Sequence, residues 1–423
     1  MSFPKLMVPA LIAVATSAAS AADNNLQVHG FASQGYLATT DNNLYGRTAG
    51  GGTFEFNELA VNVTATPVER VRIGVQILAY DLGKYGNDKP QIDWAFGEYQ
   101  VPTGNADWDL SLVAGRFKTG NALYNDYRDL DMTRTSVFLP SAVYSATLRD
   151  VYLAANGGQV NTTIRTNGLG SFDLSGYVGT QNIDSNEGPI SDLFKNLGIN
   201  KINSISGRRA DGGYLNWNPP VDGLRVKGSL LHASNLLMEG ENSYITGQVV
   251  PFPGSPVVGK SVTLPVRVNM TNYQAFTAGA EYQRGNWTLA SEYSNTYYRG
   301  EVEAAAPSAA NPFVVNTTQS VIYARELGWY GSVNYQLADL PAPFNRMQLF
   351  AAANWLHDEE DHDELTGYHR GLVAAVRYDI AEHFLVKVEY QRNRGLMLVQ
   401  SHDNPNGMEE YWNQFALKTT YDF

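Results

Sequence analysis

The sequence predicts an all-β fold: a transmembrane antiparallel β-barrel of about sixteen strands around an aqueous channel. Three observations predict it. Apolar and polar residues alternate with a period of two in segment after segment, the pattern of a strand with one face in oil and the other toward polar groups or water. Short turn signals alternate with long polar connections, as the two rims of such a barrel do. The chain also opens on a leader of the exported type.

That leader runs from Met1 to Ala21, with Lys5, an apolar run from Leu6 to Ala15 and small residues at Ala19-Ser20-Ala21. It reads as a cleaved secretory signal peptide, since its apolar stretch is too short to span a bilayer. Residues 22–423 read as a single domain, because the alternating segments recur throughout and no Pro-, Ser- or charge-rich linker divides them. Mean hydropathy is -0.27. No apolar run of ~18 residues follows the leader, so no transmembrane helix is expected. A barrel hides its membrane signal, because lipid-facing and lumen-facing residues cancel in any average. The 25 Tyr and 7 Trp fit aromatic girdles, and the absence of Cys suits an exported chain held by strand closure. A net charge of -12 argues against nucleic acid as a partner and against bulk-charge binding to anionic lipid.

Seven short turns punctuate the chain: Pro67-Val68-Glu69, Thr103-Gly104-Asn105, Asn167-Gly168-Leu169-Gly170, Pro219-Pro220-Val221-Asp222, Gly285-Asn286, Pro341-Ala342-Pro343 and Ala381-Glu382. With both termini at the same rim, they join eight outward hairpins and hence sixteen strands, fourteen or eighteen being the alternatives. The hairpin tips are placed near 40–52, 83–90, 118–157, 184–206, 238–269, 303–317, 359–365 and 399–408. Alternation is clear where Val71, Ile73, Val75 and Ile77 oppose Arg72, Gly74 and Gln76. It is equally clear where Leu224, Val226, Gly228 and Leu230 oppose Arg225, Lys227 and Ser229, and where Phe384, Val386, Val388 and Tyr390 oppose Lys387, Glu389 and Gln391. A charge on the lipid face near the midplane costs about 2–4 kcal/mol, so the charged side is the lumen. Two segments do not phase: Ile92 to Val101 breaks around Glu98, and Arg116 and Lys118 share parity with Leu110 and Leu112. A bulge near Gly115 repairs the second by shifting the phase one residue.

The last segment, Tyr411 to Phe423, alternates an apolar face ending in Phe415, Leu417, Tyr421 and Phe423 with Trp412, Gln414, Lys418 and Asp422. It resembles the closing strand of Gram-negative outer-membrane barrels, which typically ends in Phe. The segment GRFKTGNALYNDYRD from Gly115, with LPSAVY at 139–144, is similar to the GR-x-K-x-P-x-G-x-YN-x-x-RD…LP-x-x-Y pattern of the porin superfamily related to phosphate-selective porins. Here Thr119 replaces the Pro and Ala122 the Gly. The resemblance implies a sixteen-stranded homotrimer in the cell outer membrane, with a third loop folded inward to narrow the channel. It further implies contact with outer-membrane lipid and lipopolysaccharide, and handling by the barrel-assembly machinery through the C-terminal strand. It carries no solute selectivity, since no run of repeated arginines forms an anion ladder.

The phased strands give a lumen inventory. Basic inward positions are Arg72, Arg165, Arg225, Lys227, Arg377, Lys387 and Lys418; acidic ones are Glu58, Asp109, Asp173, Glu281, Glu292, Glu326, Asp379, Glu389 and Asp422. This mixture predicts no strong ion exclusion. Arg377, Lys387 and Lys418 stand on three consecutive strands ~4.8 Å apart and form a basic patch. The expected constriction sets Asp126, Arg128, Asp129, Asp131 and Arg134 of the third loop across the channel from that patch, giving a transverse field. The alternative is local pairing of Lys387 and Arg377 with Glu389 and Asp379. The run His357-Asp-Glu-Glu-Asp-His-Asp-Glu364, with His369 nearby, lacks the spacing of an EF-hand or an H-E-x-x-H pair and reads as a solvated tip. No G-x-S-x-G elbow occurs, and His232 lies at unhelpful spacing from Ser229 and Ser234, so neither an enzyme nor a cofactor is expected. The function these readings predict is passive diffusion of small hydrophilic solutes or ions. The alternative is a structural or adhesive surface barrel acting through its external loops, with Met238 to Asn269 its best feature.

Overall fold

A computed structural model of the chain describes residues 26–86, 88–181, 183, 188–196, 199–249, 258–307, 315–361 and 364–423. The expected leader at 1–21 lies outside the described residues. The first eight strands are β1 (Leu26–Thr39), β2 (Phe56–Val68), β3 (Val71–Leu82), β4 (Gln91–Val101), β5 (Trp108–Lys118), β6 (Ala154–Thr166), β7 (Gly170–Thr180) and β8 (Lys201–Asn218). The second eight are β9 (Leu224–Val249), β10 (Val258–Arg284), β11 (Trp287–Pro307), β12 (Val315–Gln336), β13 (Met347–Asp358), β14 (Tyr368–Ala381), β15 (Phe384–Arg394) and β16 (Tyr411–Asp422). Each pairs with its sequence neighbours, and β16 returns to β1, closing a barrel of sixteen strands. Closure leaves every spanning strand paired on both sides, which oil demands because it offers the backbone no other partner. The seam is sealed to the last residue: Gly30 and Phe423 exchange N–H···O bonds of 3.0 Å in both directions.

The period-two pattern decides which face of each strand meets lipid. On β3, Ile73, Val75 and Ile77 are exposed on the outer wall while Gln76 and Leu78 are buried inside. On β16, Tyr411, Phe415, Leu417 and Tyr421 face out, and Trp412, Gln414, Ala416, Lys418 and Thr420 face in. Paired outward aromatics frame the aliphatic band: Trp287 packs on Tyr335 at the turn rim (ring centroids 4.4 Å apart), and Tyr293 stands opposite Trp329 nearer the outer rim. Such rows place an amphipathic ring at each membrane interface.

Three details differ from expectation. The hairpin tip placed at 238–269 is mostly strand, since β9 continues to Val249 and β10 begins at Val258. These two strands are 26 and 27 residues long, where about 9–11 cross a bilayer. Their polar composition suggested a loop, but a strand beyond the bilayer needs no lipid-facing side, only an inner apolar row. Leu264, Val266 and Val268 supply it, all buried. Residues 201–206 are likewise the start of β8 rather than a tip, and 303–307 and 315–317 of the expected sixth tip are the ends of β11 and β12. Finally, β5 keeps continuous register through Gly115 on both sides. The irregularity lies on β4, where Gln76 pairs with Trp94 but Ile77 with Ile92. Asp93 is the extra residue, and the bulge turns its carboxylate inward, where Lys118 meets it at 2.9 Å. Glu98 falls on the lumen side, 2.8 Å from Arg72.

Candidate functional site: the lumen and its third loop

The third loop (119–153) leaves β5 and lies inside the barrel. It turns inward at Gly120, whose φ of +64° suits glycine and whose missing Cβ leaves room for the Tyr214 ring. Its base is held by charge: Lys118 reaches Asp129 at 2.8 Å as well as Asp93, and Arg149 reaches the other Asp129 oxygen at 2.8 Å. Burial alone would raise the Asp129 carboxyl, but these two cations hold it well below the usual range.

From there the loop touches every quarter of the wall. Toward β9–β12, the Leu123 N–H and the Tyr144 and Tyr330 hydroxyls donate to Glu292 at 2.7, 2.5 and 2.6 Å, and Tyr124 donates to Glu281 at 2.5 Å. Asp126 meets Lys227 at 3.3 Å, and Arg225 bridges Tyr127 and Glu281. On β12, Gly328 sits where a Cβ would come within 1.8 Å of the Ala142 carbonyl, so the loop backbone lies directly on the wall. Toward β1–β3, Leu130 and Met132 pack on Phe31, Leu78 and Tyr80.

Toward β14–β16 the loop is latched by the basic patch. Asp131, fully buried, lies 2.7 Å from Lys418 and 3.7 Å from Lys387, with Arg134 at 3.0 Å and Thr420 donating at 2.9 Å. Lys387 also donates to the carbonyls of Asp131 (2.6 Å) and Ser136 (3.1 Å), and Arg377 to that of Met132 (2.6 Å). Burial pulls the Asp131 carboxyl up, yet Lys418, Lys387 and Arg134 together hold it well below the ordinary value.

This arrangement corrects the expected eyelet. Asp131 does not face Lys387 and Lys418 across a gap but touches them, and all three are buried. Asp126 and Asp129 pair on other sides of the loop. A carboxylate carried into a low-dielectric interior must find cations, and the loop is long enough to bring it to them. Local pairing holds for Arg377, 2.7 Å from Asp379. It does not hold for Lys387 and Glu389: the latter accepts the Val137 and Phe138 N–H groups at 2.7 and 3.3 Å.

Several of the remaining inward charges line the lumen away from this latch. Arg72 pairs with Glu98 and Arg165 with Asp109, both half-exposed. Lys418 also meets Glu58 at 2.5 Å, and Asp173 accepts from Thr163 and Asn216. Two cavities, of about 110 and 130 Å³, flank the loop. Arg128, Arg134, Leu139 and Pro140 line both. Arg134 is tied to Asp131, but among the described residues no carboxylate pairs with Arg128, which donates to the Ser145 carbonyl at 3.3 Å. Burial and then the neighbouring Arg149 charge lower Arg128 to about 10, so it stays protonated at neutral pH.

At the outer rim the second loop (83–90), the fourth (181–200) and the eighth (395–410) meet. Lys84 is ion-paired with Asp403, and Asp192 on helix α1 (Pro189–Asn196) lies 3.0 Å from His402. Asp192, His402 and Asp403 converge as metal ligands might, but the Lys84 ammonium already supplies the cation there. Sequence reading missed this rim cluster, whose members lie hundreds of residues apart. The described part of the run at 357–369 does not converge: Glu359 pairs with Arg325 at 2.9 Å, His357 stacks on Trp355, and His369 is buried beside Trp412. His232 faces outward, 3.4 Å from Asp211, and among the described hydrogen bonds no hydroxyl reaches it.

No family model matches the sequence, and a comparison with curated proteins found no match either. Solved structures do match. OmpF of Salmonella typhi, solved with daunomycin, aligns over 94% of this chain and 98% of its own, with TM-score 0.54 and 13% identity. An anion-selective porin from Comamonas acidovorans aligns over 94% and 99%, with TM-score 0.51 and 10% identity. The outer-membrane expressed OmpT of Vibrio cholerae aligns over 94% and 97%, with TM-score 0.50 and 13% identity. At such identities the likeness is one of fold: a sixteen-stranded antiparallel barrel of the porin type.

Proposed function

We propose that this protein is an outer-membrane channel for passive diffusion of small hydrophilic solutes or ions. The observation that carries the reading is the pair of lumenal cavities meeting at Arg128 and Arg134 on an inward loop. Barrels of sixteen strands leave a lumen too wide for their own side chains to fill; here the third loop occupies part of it, and the Arg128 guanidinium, without a carboxylate partner among the described residues, lines both cavities beside the loop. Charge fixed at a partly dehydrated passage acts on charged and dipolar solutes without demanding one ligand. One of the similar structures is an anion-selective porin, and Arg128 gives this chain a reason for the same preference. The likeness to the phosphate-selective branch rests on the loop motif alone. Assembly as a homotrimer, contact with lipopolysaccharide and insertion by the barrel-assembly machinery belong to the same proposal.

Conductance in planar bilayers tests it. The purified protein is expected to give discrete steps, with a reversal potential in a salt gradient that favours anions. A silent protein sinks the channel reading. One observation favours a second reading, a surface scaffold: β9–β12 are 26, 27, 21 and 22 residues long and stand well beyond the bilayer. Absence of conductance in a folded barrel would support that role.

A further inference from the structure

Above the third loop lies a separate cavity of about 370 Å³. Its floor is the returning limb of that loop, one side is α1, another is the inner face of β9–β13 where these strands rise past the bilayer, and Gln181, Asp361 and, from the eighth loop, Met397, Leu398 and Gln400 complete the lining. The walls are largely apolar, with Val151, Phe194, Met270, Ile322 and Leu356 among them. A small hydrophilic solute gains nothing from such a surface, so its composition asks for an occupant with an apolar body.

Two further observations fix the sign of that occupant. Glu326 and Asp358 both line the cavity and stand directly opposite each other in the β12–β13 register. Like charges so placed repel. Among the described residues neither is in an ion pair; the base next in sequence, Arg325, is turned to the other face and bound to Glu359 and Asn295. Asp358 accepts only the Glu360 N–H, at 2.9 Å, among the described hydrogen bonds. Independently, the hydroxyl of Tyr273 is buried, lines the same cavity and lies beside the Tyr152 hydroxyl, but makes no well-formed hydrogen bond among the described residues. A buried polar group without a partner is costly and rare in a folded protein. Its neighbour Tyr152, by contrast, is satisfied by Thr296 at 3.0 Å. Two uncompensated acids, an orphan phenol and the faces of Tyr273 and Tyr298 are what an ammonium or guanidinium needs in order to leave water: charge, a hydrogen-bond acceptor and π-faces.

We infer that this cavity is a binding site for amphiphilic organic cations, compounds with an aryl or branched alkyl body and one ammonium or guanidinium head. The apolar body lies on the floor and the helix side, and the head sits between Glu326 and Asp358. The site rests on the channel reading only for what becomes of the bound cation, since its occupancy needs no conduction.

The test is calorimetric titration of the full-length protein in non-ionic detergent with 2-naphthylmethylammonium, 2-naphthalenemethanol and 2-naphthylacetate, with empty micelles as the blank. The cation is expected to bind saturably and at least about tenfold more tightly than the alcohol, with the carboxylate weakest. Glu326→Gln with Asp358→Asn should remove that preference while leaving the alcohol unaffected. As a control against misfolding of the double variant, Ala324→Phe is the second variant: it fills the cavity from the wall and should weaken cation and alcohol alike. Folding of each is read from its migration on unheated gels. Equal affinity for the three probes, or a cation preference that survives the double substitution in a folded barrel, overturns the assignment. Bilayer conductance on the same preparations separates the two readings. Cation binding without current leaves this site standing and removes the channel; current without cation binding does the reverse.

Discussion

Asp131 shows what a buried charge does in a lumen. Its carboxylate is shared by Lys418 and Lys387, so removing it leaves Lys418 with Glu58 alone and Lys387 with backbone carbonyls alone, in a fully buried place. Breaking a buried pair from one side costs about 3–5 kcal/mol. Asp131→Asn is therefore expected to lower the unfolding temperature and to make single-channel current noisier as the loop detaches. Unchanged stability would mean that water reaches the pair. The pH dependence follows from the same contacts. The Asp131 and Asp129 carboxyls are held below their unfolded values, so their contribution is fully present above the ordinary carboxylate range and is lost only as pH falls through the depressed folded values. Conductance should accordingly keep its neutral-pH value down to about pH 4, near the unfolded aspartate value; a larger pore already open at pH 5 would contradict the latch. Arg128 has the opposite role, being charged with no carboxylate partner among the described residues. Arg128→Ala should shift the reversal potential toward cations with little loss of stability, whereas Lys387→Ala should act chiefly through loop docking.

At the scale of elements, legibility followed the membrane. Strands whose two faces meet different solvents were readable, because oil and water impose a period of two: Ile73, Val75 and Ile77 point out and Gln76 points in as that rule requires. Past the bilayer the rule lapses. The outer halves of β9 and β10 looked like loop because nothing there requires an apolar outer face, although the inner row of Leu264, Val266 and Val268 was a signal of period two that polar neighbours obscured. The third loop's mass of aromatics foretold order, but not where its charges would go. Parity located Lys387 and Lys418 inside, yet the depth of Asp131 depends on how far a loop of this length reaches, and no local pattern encodes that. The broken phases at Ile92–Val101 and at Arg116 and Lys118 are the two traces of the Lys118–Asp93–Asp129 network, and the bulge belongs to the first strand and not to the second. The loop's seat gives the element's own prediction. Gly328→Val would place methyl groups where the Ala142 carbonyl lies, pushing the loop from the wall, and deleting 132–138 would remove the stretch beside Asp131 whose backbone Arg377, Lys387 and Glu389 hold. Both should raise single-channel conductance, the deletion more. If the deletion leaves conductance unchanged, the loop is not the constriction.

For the whole molecule, what matters is that the barrel has no edge. The β16 register against β1 runs from Phe31–Asp422 to Thr39–Gln414, and Phe423 adds its reciprocal pair of bonds with Gly30. A soluble sheet that lost three residues at an edge would expose them to water at small cost. In hydrocarbon each unsatisfied backbone group costs several kcal/mol, because nothing else there can bond to it. The outer halves of β9 and β10 sit in the contrary situation, since water can solvate any edge that their shortening leaves. Two truncations of unequal size should thus have inverted effects. Excising 242–264, which removes paired strand beyond the bilayer while keeping Glu239 opposite Arg267, should leave a barrel that resists unfolding in unheated detergent gels. Removing only 421–423 should abolish that resistance and reduce the amount of barrel recovered from the outer membrane. A tolerant C-terminus would show that closure does not depend on the last pairs of the seam. A collapsed barrel after the excision would show that the tall hairpin is part of the folding core, and that the molecule is built outward from its rim.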